Sequence, residues 1–162
     1  MNRGFTLAEL ILVVIVLTLV IGIVAPRFSD AVPAARLSRA STEMRAVIQK
    51  VRADAVILVR SYQLNLDPDA GTYWVTVEED PLKAPGEYVQ AGGPLRDVFQ
   101  LPSGVLYGTI TGAPASTTGT SYVFTFKPDG TVEGGSIVVS IPDGPSRTLT
   151  IDGATSDVEV SE

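Results

Sequence analysis

From Phe5 to Ala25 the chain reads FTLAELILVVIVLTLVIGIVA, and from Leu10 onward only Thr18 and Gly22 break the aliphatic run. As a helix these 21 residues reach about 32 Å, enough to cross a hydrocarbon layer of about 30 Å. The sequence therefore predicts a transmembrane helix over 5–26. One acid, Glu9, stands at its head. An unpaired carboxylate is costly in a bilayer, so Glu9 is expected to have a partner. A secretory signal peptide is the simpler alternative. Arg3 gives it a positive flank, but IVAP is a poor cleavage site. Arg3 on the short flank also favours a cytoplasmic N-terminus.

Beyond Pro26 the pattern is amphipathic. Leu37, Ala40, Met44, Val47, Ile48, Val51, Ala55 and Leu58 fall on one stripe at helical spacing. Arg36, Arg39, Glu43, Arg45, Lys50, Arg52 and Asp54 fill much of the rest. The stripe is expected to pack on a sheet, with the basic face left to solvent or to a neighbouring chain. Pro26 and Pro33 each remove an amide donor and crowd the carbonyl four residues earlier. Gly22 is a poor helix former. The weakest point of the helix is thus placed at Gly22 and Pro26, as a kink between a segment 5–26 and its continuation 27–60.

From Tyr62 the period changes to two. SYQLNLD, TYWVTVEE, GVLYGTI, SYVFTFKPDG, SIVVSIPDG, RTLTIDG and SDVEVSE read as strands, separated by Gly, Pro and Asp turns. DPDAG, PDGTVEGG and PDGPS are expected to join strands as hairpins. Residues 80–96, rich in Pro and Gly, are expected to form a long loop, and 112–121 a polar one. The fold class is therefore α+β: a long N-terminal helix packed on an antiparallel β-sheet head over 61–162. Trp74, the one tryptophan, is expected in the core.

Charge is segregated along the chain. Residues 1–60 carry eight Lys/Arg and four Asp/Glu, net +4, and residues 61–162 carry four and fourteen, net −10, which together give the overall −6. An acidic head disfavours nucleic acid, and the basic helix face has no aromatic company between Phe28 and Tyr62. There is no cysteine and no histidine. Disulfides and thiolate metal sites are thereby excluded, and the commonest general base is missing. Serines have no histidine to activate them, and the three lysines Lys50, Lys83 and Lys127 sit in no nucleophile motif. The acids of DPD at 67–69 and PDG at 128–130 do not follow calcium-loop spacing and read as turns. The expectation is a chain that is not an enzyme, with no cofactor and no metal.

The stretch RGFTLAEL followed by the aliphatic run resembles the prepilin motif of the type IV pilin superfamily. The resemblance implies cleavage between Gly4 and Phe5 by a prepilin peptidase, removing a leader of residues 1–4. It further implies N-methylation of Phe5. Glu9 then becomes the fifth residue of the mature chain, and its partner becomes the new amine at Phe5. In this family the pairing is with a neighbouring subunit's amine; within one chain Phe5 and Glu9 also stand at i, i+4. The sequence leaves both pairings open. It likewise leaves open whether Gly22–Pro26 is a simple kink or, as the resemblance implies, a segment that unwinds on assembly.

RADAVILVRS, LNLDPDAGTYWV, LPSGVLY, FTFKPDGTVEGGSIVVSI and LTIDGATSDVEV together resemble the GspH/FimT-type minor pseudopilins. This implies a filament subunit, held in the inner membrane with its head outside the cytoplasm. Its partners would be other pilin or pseudopilin subunits, an inner-membrane assembly platform and membrane lipid. A type II secretion pseudopilin is the first expectation, and a minor or major type IV pilin the second. A tip-displayed binding or DNA-uptake pilin is a third. DNA-uptake members use basic residues near the C-terminus, whereas here Asp152, Asp157, Glu159 and Glu162 face a single Arg147.

Overall fold

The computed structural model describes residues 7–114 and 121–162, and side chains 21–31 lie outside the described set. The chain divides into two compact units, Met1–Ala35 and Arg36–Glu162. One helix, α1 (Leu7–Leu58), is assigned through both. Pro33 lies inside it, and so do Gly22 and Pro26, at whose side chains the expected kink falls outside the described residues.

In the first unit, the described side chains Leu10 to Val20 are exposed. Thr18, the polar residue of this stretch, turns its hydroxyl back to donate to the carbonyls of Val14 (2.9 Å) and Ile15 (2.8 Å). The group is thereby satisfied within its own helix. Among the described residues no helix is long and apolar enough to cross a membrane. The described part of the run, 7–20, is about 21 Å of helix, and residues 21–25 lie outside the described side chains.

In the second unit the helical stripe is the core. Leu37, Ala40, Met44, Val47, Ile48, Val51 and Ala55 are buried, as the period-3.6 spacing predicts. Leu58, the last residue assigned to the stripe, is instead 54% exposed. The helix ends there because Val59 takes the left-handed conformation (φ 51°). The Arg60 amide then folds back on the Ala55 carbonyl at 3.2 Å, the six-to-one bond of a Schellman cap.

Nine strands follow among the described residues, in two antiparallel sheets. In the first, β1 (Tyr62–Asp67) lies between β2 (Thr72–Asp80) and β6 (Tyr122–Phe126). Strand β3 (Ala84–Gln90) and the short β4 (Phe99–Gln100) both pair with β2. The second has the order β5 (Leu106–Thr111), β7 (Gly135–Ser140), β8 (Ser146–Ile151), β9 (Val158–Ser161). Leu64, Leu66, Val75 and Phe124 of the first sheet share one apolar cluster with Ile137, Val139 and Leu149 of the second and with the helix stripe.

Several sequence expectations are corrected. Residues 80–96 are not a loop: Ala84–Gln90 pairs with β2 as a hairpin arm, and Gly93–Leu95 makes a 3-10 turn. Its Pro85 is tolerated because β3 is an edge strand. PDGTVEGG turns back only far enough for Phe126 to bridge Val132 and does not join two paired strands, since β6 pairs with β1 and β7 with β5 and β8; it carries the chain from one sheet to the other. DPDAG and PDGPS do join paired strands. In β2 the core side is Tyr73, Val75 and Val77, which leaves Trp74 half-buried on the other face.

The EGG segment meets a close backbone crossing. A Cβ on Gly135 would lie 2.1 Å from the Thr111 carbonyl, and one on Gly112 (φ +78°) would lie 2.1 Å from the Gly134 carbonyl. Only glycine fits both positions. The expected polar loop at 112–121 lies largely outside the described residues, at 115–120.

Candidate functional site

Of the residues singled out from the sequence, Gly4 and Phe5 lie outside the described residues. Glu9 sits in the first turn of α1, exposed. A carboxylate there faces the amide end of the helix, where the backbone dipole favours negative charge. It is the one acid of the described stretch 7–20, surrounded by exposed aliphatics between 49% and 80% accessible. Such a surface is stable only when something apolar covers it.

On the second unit the basic helix face is partly neutralised locally. Arg39 donates to Glu43 at 2.7 Å and Lys50 to Asp54 at 2.5 Å, both one helical turn apart. Solvent screens such helix-surface pairs, so they add little to stability. Arg36 reaches the Ser103 carbonyl at 3.2 Å. Arg147 bridges the helix and the last strand, donating to the Ser38 hydroxyl (3.3 Å) and to Glu162 (2.8 Å). The tail's single basic residue is therefore occupied in holding the fold together.

The turn acids cap backbone. Asp67 accepts from the amides of Asp69 and Ala70, Asp129 from Thr131, and Asp152 from Ala154 and Thr155. Hydrogen bonds from the Thr131 side chain and amide lower the Asp129 carboxyl below its ordinary value, and those from Thr155 and Ala154 lower Asp152. Among the described residues no three His, Cys, Asp or Glu side chains gather where they could hold a metal ion. Tyr73 is buried and stacks on Phe99 with centroids 5.0 Å apart. Tyr107 on β5 donates to the Thr72 carbonyl at 3.4 Å and so ties the second sheet to the first.

Sequence reasoning missed two apolar features of the head surface. Val56, Ile57, Leu58 and Val59 are all exposed at the end of the helix. Leu82, at the tip of the β2–β3 hairpin, is 93% exposed. The first had a signal in the sequence, four consecutive aliphatics running past a stripe that needs only one in three or four.

No family model and no curated protein matches the sequence. Solved structures do match. The minor pseudopilin EpsH from the Type 2 Secretion System of Vibrio cholerae is similar at a TM-score of 0.60 and 11% identity, over 78% of this chain and 96% of that one. A second structure of EpsH gives 0.59 and 10%, over 78% and 93%. The type IV minor pilin FimU of Pseudomonas aeruginosa gives 0.53 and 15%, over 80% and 90%. The fold is type IV pilin-like. This pilin-like chain has the long N-terminal helix and antiparallel head that the sequence predicts, with the head split into two sheets.

Proposed function

We propose that the chain is a structural, non-catalytic subunit of a type IV pilus-like filament, and specifically a minor pseudopilin of a type II secretion system. The observation that carries this reading is the likeness to EpsH across 96% of that solved chain, joined to a helix whose described N-terminal aliphatics turn outward. In this reading residues 5–26 hold the subunit in the inner membrane, with the head outside the cytoplasm. Prepilin peptidase removes Met1–Gly4, and Phe5 is methylated. The assembly platform then draws the helix from lipid into a bundle of like helices, where Glu9 pairs with a neighbour's Phe5 amine. A subunit out of register would leave that carboxylate buried and unpaired, which is strongly unfavourable. The second reading, a minor type IV pilin, is favoured by the likeness to FimU.

The test is an intact-mass measurement on full-length protein extracted from membranes. The expected species lacks Met1–Gly4 and carries one added methyl. Finding the uncut N-terminus in assembled filaments overturns the reading. Deleting the gene and scoring protein secretion against surface piliation separates the two readings.

A further inference from the structure

Trp74 lies half-buried on the face of the first sheet that turns away from the core. Its neighbours along β2 on that face are Thr72 and Thr76. Across the ladders, Asn65 stands directly opposite Trp74, Gln100 opposite Thr72, and Gln90 opposite Thr76. The ring around the indole is thus amide and hydroxyl throughout. The two acids of the wider face, Asp67 and Glu78, are engaged with backbone: Asp67 accepts from the amides of Asp69 and Ala70, and Glu78 from that of Gly86.

Two polar atoms at the centre of this face have no hydrogen bond among the described residues. Asn65 is 9% exposed. Its amide nitrogen donates to the Thr76 hydroxyl (3.1 Å) and to the Gln63 carbonyl (3.4 Å), which leaves Oδ1 without a donor. The Nε1–H of Trp74 is likewise without an acceptor. Neither atom is sealed off, since no buried side-chain nitrogen or oxygen among the described residues lacks a partner. A free acceptor and a free donor thus stand on cross-strand neighbours, whose Cβ atoms are about 5 Å apart, beside an aromatic surface.

We propose that this face binds a neutral saccharide, with one sugar ring lying against the Trp74 indole. A pyranose has a C–H face that packs on an aromatic surface, and hydroxyls at its rim that both donate and accept. Asn65 Oδ1 and Trp74 Nε1–H can serve one such hydroxyl from both sides. The side chains of Thr72 and Gln100, which make no hydrogen bond among the described residues, offer further donors and acceptors along the strand. A phosphate or a carboxylated sugar would call for a cation in the ring, and the ring has none. The ladders fix the spacing of these groups before a ligand arrives, so little freedom is lost on binding. The site lies on the opposite face of the sheet from the one that packs with the helix stripe, and it goes beyond the filament-subunit reading.

Trp74 is the one tryptophan of the chain, so its emission reports on the site directly. The full-length chain, extracted in a detergent without a sugar headgroup, is titrated with cellotetraose and with chitotetraose. The expected result is a saturable change in tryptophan emission with at least one of them and none with inorganic phosphate. Saturation-transfer NMR needs no tryptophan; it should show the sugar C–H protons in contact with the protein, and W74A should lose that signal. Gln100 is exposed and Thr72 half-buried, so Q100A and T72V should weaken binding several-fold at unchanged Tm, and they read the site even if W74A unfolds. No saturable change with either sugar up to its solubility overturns the proposal, and so does undiminished binding by W74A. A response to an extended Ser/Gln peptide but to neither sugar would mean a protein partner and overturn it equally. The filament-subunit reading is tested by the mass of the mature chain, which none of these outcomes alters.

Discussion

The amide of Arg60 donates to the carbonyl of Ala55 at 3.2 Å, and this closure forces Val59 into a positive φ of 51°. The Schellman position is normally glycine, because a β-branched residue there brings its Cβ against the backbone. The cost for an L-residue is about 1–2 kcal/mol.

Val59→Gly should therefore stabilise the head. Relief of strain outweighs the extra freedom glycine gives the unfolded chain, itself about 0.5–1 kcal/mol. The net is up to about 1 kcal/mol, a rise in Tm of about 3 °C for a chain of this size. Thermal melting of the detergent-extracted chain checks it; a lower Tm would show that Val59 makes a packing contribution larger than its strain.

Met44 is fully buried at the centre of the helix stripe. Met44→Ala removes its contacts and leaves a cavity between helix and sheets, so a loss of about 2–5 kcal/mol is expected. Ala46, exposed two residues on, supplies the control: Ala46→Ser should change stability by less than about 0.5 kcal/mol. Urea melts of the two variants should differ in midpoint, with unchanged slope.

Burial, and secondarily the charge of Glu43, raises the Tyr73 phenol from 10.0 to about 12. Burial raises Tyr107 further, with smaller contributions from Tyr73 and Asp67. Both folded values lie above the unfolded value, so the unfolded chain gives up these protons first. The stabilisation is complete below pH 10.0 and is lost as the pH rises towards about 12. Phenolate absorbance and circular dichroism, followed together, should show a late tyrosine fraction that ionises only as the fold is lost. Ordinary titration of every tyrosine with an intact fold would contradict this.

Glu9→Leu should leave membrane insertion and head folding intact while impairing entry into filaments. The substitution makes the run more apolar, so insertion is no worse. In the proposed assembly what is lost is the partner of a neighbour's amine, and breaking one side of a buried pair costs about 3–5 kcal/mol. Glu9→Asp should be partly impaired. Fractionation of membranes and sheared filaments reads the outcome; normal assembly of Glu9→Leu would remove the register role.

The helix of this protein was written locally. Leu37 to Ala55 recur at 3.6 residues, and a side chain's angle about a helix depends only on its position in that helix, so the buried face could be read directly. The hairpins at DPDAG and PDGPS were legible for the same reason, since a tight turn is set by the residues inside it. Strand pairing is different, because each strand draws its hydrogen bonds from residues far away. Residues 84–90 look like a loop on their own Pro and Gly, and become β3 because β2 runs on to Asp80 and offers them an unpaired edge. Period two shows that alternate residues of β2 share a face, but not which face is inside. The structure chose Tyr73, Val75 and Val77 over Trp74 because that set points into the cluster built with the helix. PDGTVEGG reads as a hairpin, and the separation of β6 and β7 into two sheets was decided by partners at β1 and β8. The run Val56–Val59 left a trace in the sequence as four consecutive aliphatics, whereas the knob at Leu82 was out of reach, since its exposure is fixed by what the rest of the chain leaves uncovered.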